Sequence, residues 1–183
     1  MLNKEELQLI SDGDFLLRKR EVSKKINKLL SECEAQLQPV VHQHLSFYPN
    51  EVLAKSGKIS RGENYKGLPY LVLDFPRYSN DKKIFIYRTM FWWGHYFLCL
   101  LVTQNCGYNL NLSKHAGKEF HINHGETPWN YDVSDPCWKA FEETGGAQLP
   151  FISIGKKVDF NQIDELPELT TTTFKTIMSF LVK

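Results

Sequence analysis

Hydrophobic residues recur at helical spacing along the first part of the chain. In residues 15–37 the apolar side chains fall on one side of a helix, and lysines and arginines crowd the other positions. Asn3 and Glu6 have the spacing of a capping box, and Asp14 is expected to cap a second, longer helix. Pro39 is expected to kink or end that helix. The pattern predicts an amphipathic helix that packs on a sheet.

Apolar runs in the middle of the chain indicate β-strands. The predicted strands cover residues 68–75, 83–93, 95–103 and 151–160. A turn at residues 78–81 is expected to join the first two strands into a hairpin. Residues 98–102 are apolar at both parities, which is typical of a strand covered on both faces. Five strand residues are expected in the core: Leu71, Leu73, Phe85, Leu98 and Leu100.

Helical spacing returns at the end of the sequence. The apolar positions there are Phe174, Ile177, Met178 and Leu181. Thr171 or Thr172 is expected to cap this helix. Residues 107–136 show no sustained period, and Pro136 is expected to open a short helix that runs through Phe141. The sequence therefore predicts an α+β fold, an antiparallel sheet of four or more strands packed by N-terminal and C-terminal helices, in a single domain of residues 1–183.

Composition bounds the class of protein. The chain has 183 residues, of which 42% are hydrophobic, and four cysteines with no CxxC pair. The first ten residues carry acids and no apolar signal core, and no apolar stretch approaches the ~20 residues of a membrane span. We therefore expect a cytoplasmic protein with free thiols and no membrane partner.

Charge is balanced overall but uneven along the chain. The net charge is +1, yet residues 55–88 hold eight bases against three acids, and residues 119–143 hold six acids against one base. These runs are either partner-binding patches or solvated faces that neutralise each other. Binding of nucleic acid is not expected, because the pI is near 7.7 and no recognisable module is present.

Arginines and tyrosines are interleaved around the predicted hairpin. Arg61, Tyr65, Arg77 and Arg88 form this set. Guanidinium groups suit phosphate or carboxylate ligands, so the set indicates an anion-binding cleft. For Arg88, which lies within an apolar strand, a structural ion pair with Asp74 is the alternative, because a buried charge needs a partner.

An aromatic run, FWWGHYF at residues 91–97, follows the second strand. It is either core around a bend at Gly94 or a stacking platform for a ligand. We expect Trp93 and His95 to share a partly open pocket with Arg88. His95 is then either a cleft residue that titrates near neutrality or a satisfied core histidine.

Three histidines lie close together in HAGKEFHINH. His115, His121 and His124 can hold zinc or iron if the chain gathers them, with Glu119 or Glu126 as a carboxylate ligand. On a strand, however, His121 and His124 point to opposite faces. The alternative is that they are turn or surface histidines, and we expect no bound metal or cofactor.

Several segments resemble one family in the same order along the chain. They are ENYKG, FWWGHYFLCLLVT and PWNYDVSDP, between a long amphipathic N-terminal helix and a closing strand and helix. This arrangement resembles the YktB-like group of bacterial proteins. The resemblance implies an α+β fold with an antiparallel sheet, and it carries over no activity, cofactor or catalytic residue. The histidine cluster and the basic, aromatic strand depart from the family pattern.

Two classes of function remain open on the sequence. The first is a non-catalytic binding module that recognises a small anionic ligand or a partner protein through the arginine and aromatic region. The second is a metal-assisted hydrolase that uses the histidine cluster. Phosphate-loop, dinucleotide-binding, HExxH and GxSxG motifs are absent from the sequence. The lack of a nucleophile paired with a base favours the binding module.

Overall fold

The computed structural model describes residues 1–43, 48, 56–111, 117–141 and 149–183. The helices are α1 (Lys4–Ser11), α2 (Gly13–Gln43) and α3 (Leu166–Phe180), with a 3-10 helix at Phe160–Glu165 before α3. The strands are β1 (Lys58–Tyr65), β2 (Leu68–Ser79), β3 (Ile84–Trp92), β4 (Tyr96–Gln104), β5 (Asn109–Leu110), β6 (Phe120–Asn123), β7 (Trp138–Ala140), β8 (Ile152–Val158) and β9 (Leu181–Val182).

Seven of these strands form one antiparallel sheet. Their order is β1-β2-β3-β4-β8-β6-β7, and β5 pairs with β9 separately. Helix α2 packs on β2 and on α3, which in turn packs on β4 and β8. The predicted α+β fold is confirmed: an antiparallel sheet with an N-terminal and a C-terminal helix packed on it.

The sheet is covered on both faces. We call the side that carries the helices the helix face, and its core includes Leu30, Leu37, Leu73, Phe97 and Phe174. We call the other side the loop face, because residues from the segment that precedes β7 cover it. Its core includes Val72, Met90, Leu98, Tyr131 and Trp138. The expectation that the third predicted strand is covered on both sides is confirmed, since β4 is buried at every position except its last.

Several local predictions are confirmed. Asn3 and Glu6 form the capping box of α1, with Asn3 Oδ1 2.9 Å from the amide nitrogen of Glu6. The strands β2 and β3 form the expected hairpin, in which the Asn80 side chain accepts hydrogen bonds from the amides of Lys82 and Lys83. The five residues assigned to the strand core are all buried.

Other local predictions are wrong. Asp12, and not Asp14, caps α2 by accepting a hydrogen bond from the Phe15 amide at 2.8 Å. Helix α2 does not end at Pro39 but continues to Gln43, and a kink at Pro39 stays a prediction. The cap assignment at Thr171 or Thr172 is also wrong, because α3 begins at Leu166 and both hydroxyls donate to carbonyl oxygens within the helix.

Residues beyond Pro136 form strand β7 and not a short helix, because they pair with β6. Strand β1 was not predicted at all. Its sequence, KISRGENY, is largely polar, which suits the edge position that it holds in the sheet.

Two glycines are explained by their surroundings. Gly94 has a φ of +75° in the tight turn between β3 and β4, a conformation that side chains with a Cβ adopt at a cost. Gly62 lies opposite Tyr70 in the sheet, and a Cβ there would meet the phenol ring at about 2.3 Å. The bend predicted at Gly94 is therefore a hairpin turn.

All four cysteines are free thiols. Burial raises the pKa of Cys33 to about 12 and also raises the pKa of Cys99. Both thiols lie in the core between α2, α3 and the sheet, where they behave as small hydrophobic side chains. Within the described ranges, the helices include none that is both long and apolar enough to cross a membrane.

Candidate functional site

A groove of about 660 Å³ lies between the N-terminal part of α2 and the β1–β2 edge of the sheet. The helix contributes Leu16, Lys19, Arg20, Ser23, Lys24 and Asn27. The sheet contributes Ile59, Ser60, Arg61, Glu63, Pro69, Tyr70, Leu71 and Trp93. The groove thus has an apolar and aromatic wall on the sheet and a basic wall on the helix.

The helix side of the groove is basic because the apolar stripe of α2 stops before the helix does. Ile26 and Leu30 are buried against the sheet, and no earlier residue of α2 is buried. One turn and two turns before Ile26, the same side of the helix carries Ser23 and Lys19, which are only partly exposed. Polar side chains therefore stand where leucines would have closed the gap between helix and sheet.

The sheet side is set by strand register. Arg61 pairs with Leu71 of β2, and residues directly opposite in an antiparallel pair point to the same face. Leu71 belongs to the helix-face core, so Arg61 points toward α2. Trp93 follows β3, packs edge-on against Phe91 and donates its backbone N–H to Pro69 at 3.1 Å. Arg61 and Trp93 are thereby fixed on one wall.

The charges of the groove are only partly neutralised. Lys19 lies 3.7 Å from Glu63, which links α2 to β1, and Lys24 lies 2.7 Å from Glu21 on its own helix. Arg20 and Arg61 form no ion pair with any residue that the structure describes. Four bases and one acid line the groove, and two guanidinium groups there remain available to a ligand.

Arg88 lies on the opposite side of the sheet. Its Nε and Nη2 donate to the two carboxylate oxygens of Asp74 at 2.7 and 2.8 Å, and Nη1 donates to the Tyr131 hydroxyl. The Arg88 and Asp74 side chains are 14% and 12% exposed. Burial alone would lower the pKa of Arg88, but the hydrogen bond and the charge of Asp74 raise it above its ordinary value. The structural pair is therefore what holds Arg88.

Aromatic rings enclose this ion pair. The Arg88 guanidinium lies 5.6 Å from the Trp129 ring centre and 5.2 Å from that of Tyr131. Burial raises the pKa of Tyr131 to about 12, so its hydroxyl stays protonated at neutral pH. Tyr65 fastens the covering segment by accepting from the Tyr131 amide at 2.8 Å and donating to Asn130 at 3.2 Å. Tyr65 is thus a structural contact of the loop face.

Arg77 and His95 also lie on the loop face. A β-bulge separates Asp74 from Arg77, after which Arg77 pairs with Ile86, a residue on the same side of β3 as Arg88. The Nε of Arg77 is buried and has no hydrogen-bond partner among the described residues. The His95 ring is exposed and stacks on Trp92, with ring centres 3.5 Å apart.

The six predicted site residues therefore divide between two faces. Arg61 and Trp93 line the groove on the helix face, whereas Tyr65, Arg77, Arg88 and His95 belong to the loop face. The expected pocket shared by Arg88, Trp93 and His95 is wrong. Neighbouring residues of a strand point to opposite faces of the sheet. The sequence alone did not show which of these residues share a face.

The histidine cluster is only partly described. His115 lies outside the described residues. His121 is in β6 with its Nδ1 3.2 Å from the Glu119 carbonyl oxygen, and burial lowers the pKa of His124. Within the described part of the chain, no three His, Cys, Asp or Glu side chains are gathered to hold a metal. Because His115 lies outside the described residues, the expectation that the three histidines do not gather around a metal stays a prediction.

Comparison with known proteins adds no relative. No family model matches the chain, and no curated protein or solved structure matches it significantly. The resemblance to the YktB-like group therefore stays a prediction, and the function is argued from the groove.

Sequence reasoning missed the helix residues of the groove. Lys19, Arg20 and Lys24 were assigned to the solvated side of an amphipathic helix. One signal could have found Lys19, namely that it continues the spacing of Ile26 and Leu30 and yet is charged. The proximity of Arg20 to Arg61 depends on tertiary packing, and no sequence spacing encodes it.

Proposed function

We propose that this protein binds a small anionic ligand, one that carries a phosphate or carboxylate group, in the groove between α2 and the β1–β2 edge. The observation that supports the proposal is the pair of guanidinium groups, Arg20 and Arg61, that line one groove and have no ion-pair partner among the described residues. An unpaired guanidinium presents five N–H donors to an anion.

The residue types suit this chemistry. Arginine binds phosphate and carboxylate through two parallel hydrogen bonds, which fix orientation as well as charge. Lys19 and Lys24 add positive charge that is already shared with Glu63 and Glu21. The ligand charge is therefore expected to lie between the two arginines.

The opposite wall indicates that the ligand also has an apolar or aromatic part. Trp93 offers ring surface, and Leu71 and Ile59 offer aliphatic surface. The volume of about 660 Å³ falls within the range of roughly 300–1,000 Å³ that is typical of small-molecule sites. A ring-bearing monoester or carboxylate has both features.

Calorimetric titration with phenyl phosphate, with phenol as the uncharged control, tests the proposal. Arg20→Ala and Arg61→Ala should each weaken binding of phenyl phosphate by at least about tenfold, because a hydrogen bond to a charged group is worth about 1.5–3 kcal/mol. Binding should also weaken as salt is added, since the groove is open to solvent.

Arg18→Ala is the matched control. Arg18 lies on the same helix and is exposed, but it does not line the groove. This variant should bind phenyl phosphate within about twofold of the wild type, because screening leaves little effect of a distant surface charge. Equal binding by Arg20→Ala, Arg61→Ala and Arg18→Ala would contradict the proposal, as would equal affinity for phenol and phenyl phosphate.

The metal-assisted hydrolase has no observation of this structure in its favour, because His115 lies outside the described residues. It stays a hypothesis that metal analysis of the purified protein would test. Stoichiometric zinc, lost in a His121→Ala variant, would support it.

A further inference from the structure

The N-terminal end of the chain carries apolar side chains that nothing in the described structure covers. No residue of α1 is buried, and the first buried residue of α2 is Ile26. The apolar side chains between Met1 and Ile26 are 40 to 62% exposed and are Leu2, Leu7, Leu9, Ile10, Phe15, Leu16, Leu17 and Val22. These eight exposed apolar side chains, all within the first 22 residues, indicate an interaction surface.

Charge is divided along the same two helices. Residues 4–14 hold four acids and one base, whereas residues 18–28 hold six bases and one acid. The apolar residues Phe15, Leu16 and Leu17 lie between the acidic and the basic segment. When two copies of this surface run in opposite directions, the acidic segment of each lies against the basic segment of the other.

We propose that two copies of this chain associate through residues 4–28, with their helices antiparallel and a two-fold axis near Leu16. This arrangement lays the acidic segment of each copy along the basic segment of the other, and a parallel arrangement would place like charges together. With the axis at Leu16, Ile10 of one copy lies opposite Val22 of the other, and Asp14 lies opposite Arg18. Each contact occurs twice, as a two-fold interface requires.

The charge pattern also selects between occupants. An anionic membrane attracts the basic segment but repels the acidic one, and that acidic segment carries Leu7, Leu9 and Ile10. A second copy satisfies both segments at once. The interface and the anion groove share Lys19, Arg20 and Lys24, so each acidic segment competes with an anionic ligand, whereas Phe15 and Leu17 do not line the groove and distinguish the two proposals.

Sedimentation velocity of the full chain over a range of concentrations tests the interface. The wild type should form dimers, and the double variant Phe15→Asp/Leu17→Asp should sediment as a monomer with an unchanged melting temperature. Val182→Asp is the matched control, because Val182 is 40% exposed like Val22 but lies in β9. This control should still dimerise.

Charge reversal tests the antiparallel register. Asp14→Arg should weaken dimerisation at least about tenfold by placing it against Arg18 of the other copy, and Asp14→Arg/Arg18→Asp should restore it. A wild type that stays monomeric, or a Phe15→Asp/Leu17→Asp variant that dimerises normally, overturns the proposal. Monomers that bind phosphatidylserine vesicles through this helix overturn it as well. Phenyl phosphate binding by the double variant reports on the groove separately.

Discussion

The ion pair between Arg88 and Asp74 gives a demanding prediction about stability. Arg88→Met removes the positive charge with little change in volume and leaves the Asp74 carboxylate, 12% exposed, without its partner. The two hydrogen bonds to Asp74, of 2.7 and 2.8 Å, and the one to the Tyr131 hydroxyl are lost with the charge. We expect a loss of about 3–5 kcal/mol in the free energy of unfolding, as for other broken buried pairs.

The effects of replacing Asp74 and Arg88 on the free energy of unfolding should not be additive. Asp74→Leu should destabilise by a similar amount, because it strands the guanidinium. The double variant Asp74→Leu/Arg88→Met removes both charges and should be within about 1–2 kcal/mol of the wild type, since apolar replacements of buried pairs are often tolerated. The double-mutant cycle then gives a large coupling energy.

Urea denaturation followed by circular dichroism measures these differences. Lys24→Met is the control, because Lys24 and Glu21 form an exposed pair, each side chain 60% exposed, which should contribute less than about 1 kcal/mol. A loss below about 1 kcal/mol in Arg88→Met would refute the reasoning. Strict additivity in the double variant would also refute it. Under conditions in which the Arg88→Met variant is folded, it should bind phenyl phosphate as the wild type does, because the groove lies on the other face of the sheet.

Two further changes test local features of the fold. Gly94→Ala should lower the free energy of unfolding, measured by urea denaturation, by about 1–2 kcal/mol, because Gly94 has a φ of +75°. A Cβ there would meet only Leu68 at 3.9 Å, so backbone strain is the cause and not a steric clash. An unchanged stability would contradict this. Burial opposes ionisation of Asp132, but its hydrogen bond to Lys66 lowers the pKa of the carboxyl below the ordinary value. The ionised carboxylate therefore stabilises the fold above about pH 4, and this contribution is lost as the pH falls further. Asp132→Asn should therefore flatten the decline of melting temperature with acid, and an unchanged acid profile would show that the pair is not formed.

Much of the fold was predictable because burial imposes a period on the sequence. The hairpin of β2 and β3, the doubly covered β4 and the helix α2 each carry a continuous apolar pattern. The strands that were missed lack such a pattern. β1 lies at an edge and is polar, and β5, β6, β7 and β9 have only two to four residues, so neighbouring strands and not local preference hold them in place.

The candidate site was only partly predictable. Arg61 and Trp93 were identified by residue type, but Arg88 was grouped with them although its strand register places it on the other face. Arg20 was not identified, because its proximity to Arg61 is created by the packing of α2 on the sheet. Residue type indicates chemistry, whereas strand parity and helix docking decide which residues meet.

The most direct test of the anion groove is a titration of the isotope-labelled protein with phenyl phosphate, followed in proton–nitrogen correlation spectra. Two tryptophans serve as internal probes, since Trp93 lines the groove and Trp129 lies beside Arg88 on the other face. The account predicts saturable shifts of the Trp93 indole and of the Arg61 and Ser23 amides, with the Trp129 indole unchanged. Shifts concentrated at Trp129, or no saturable shift at Trp93, would contradict it.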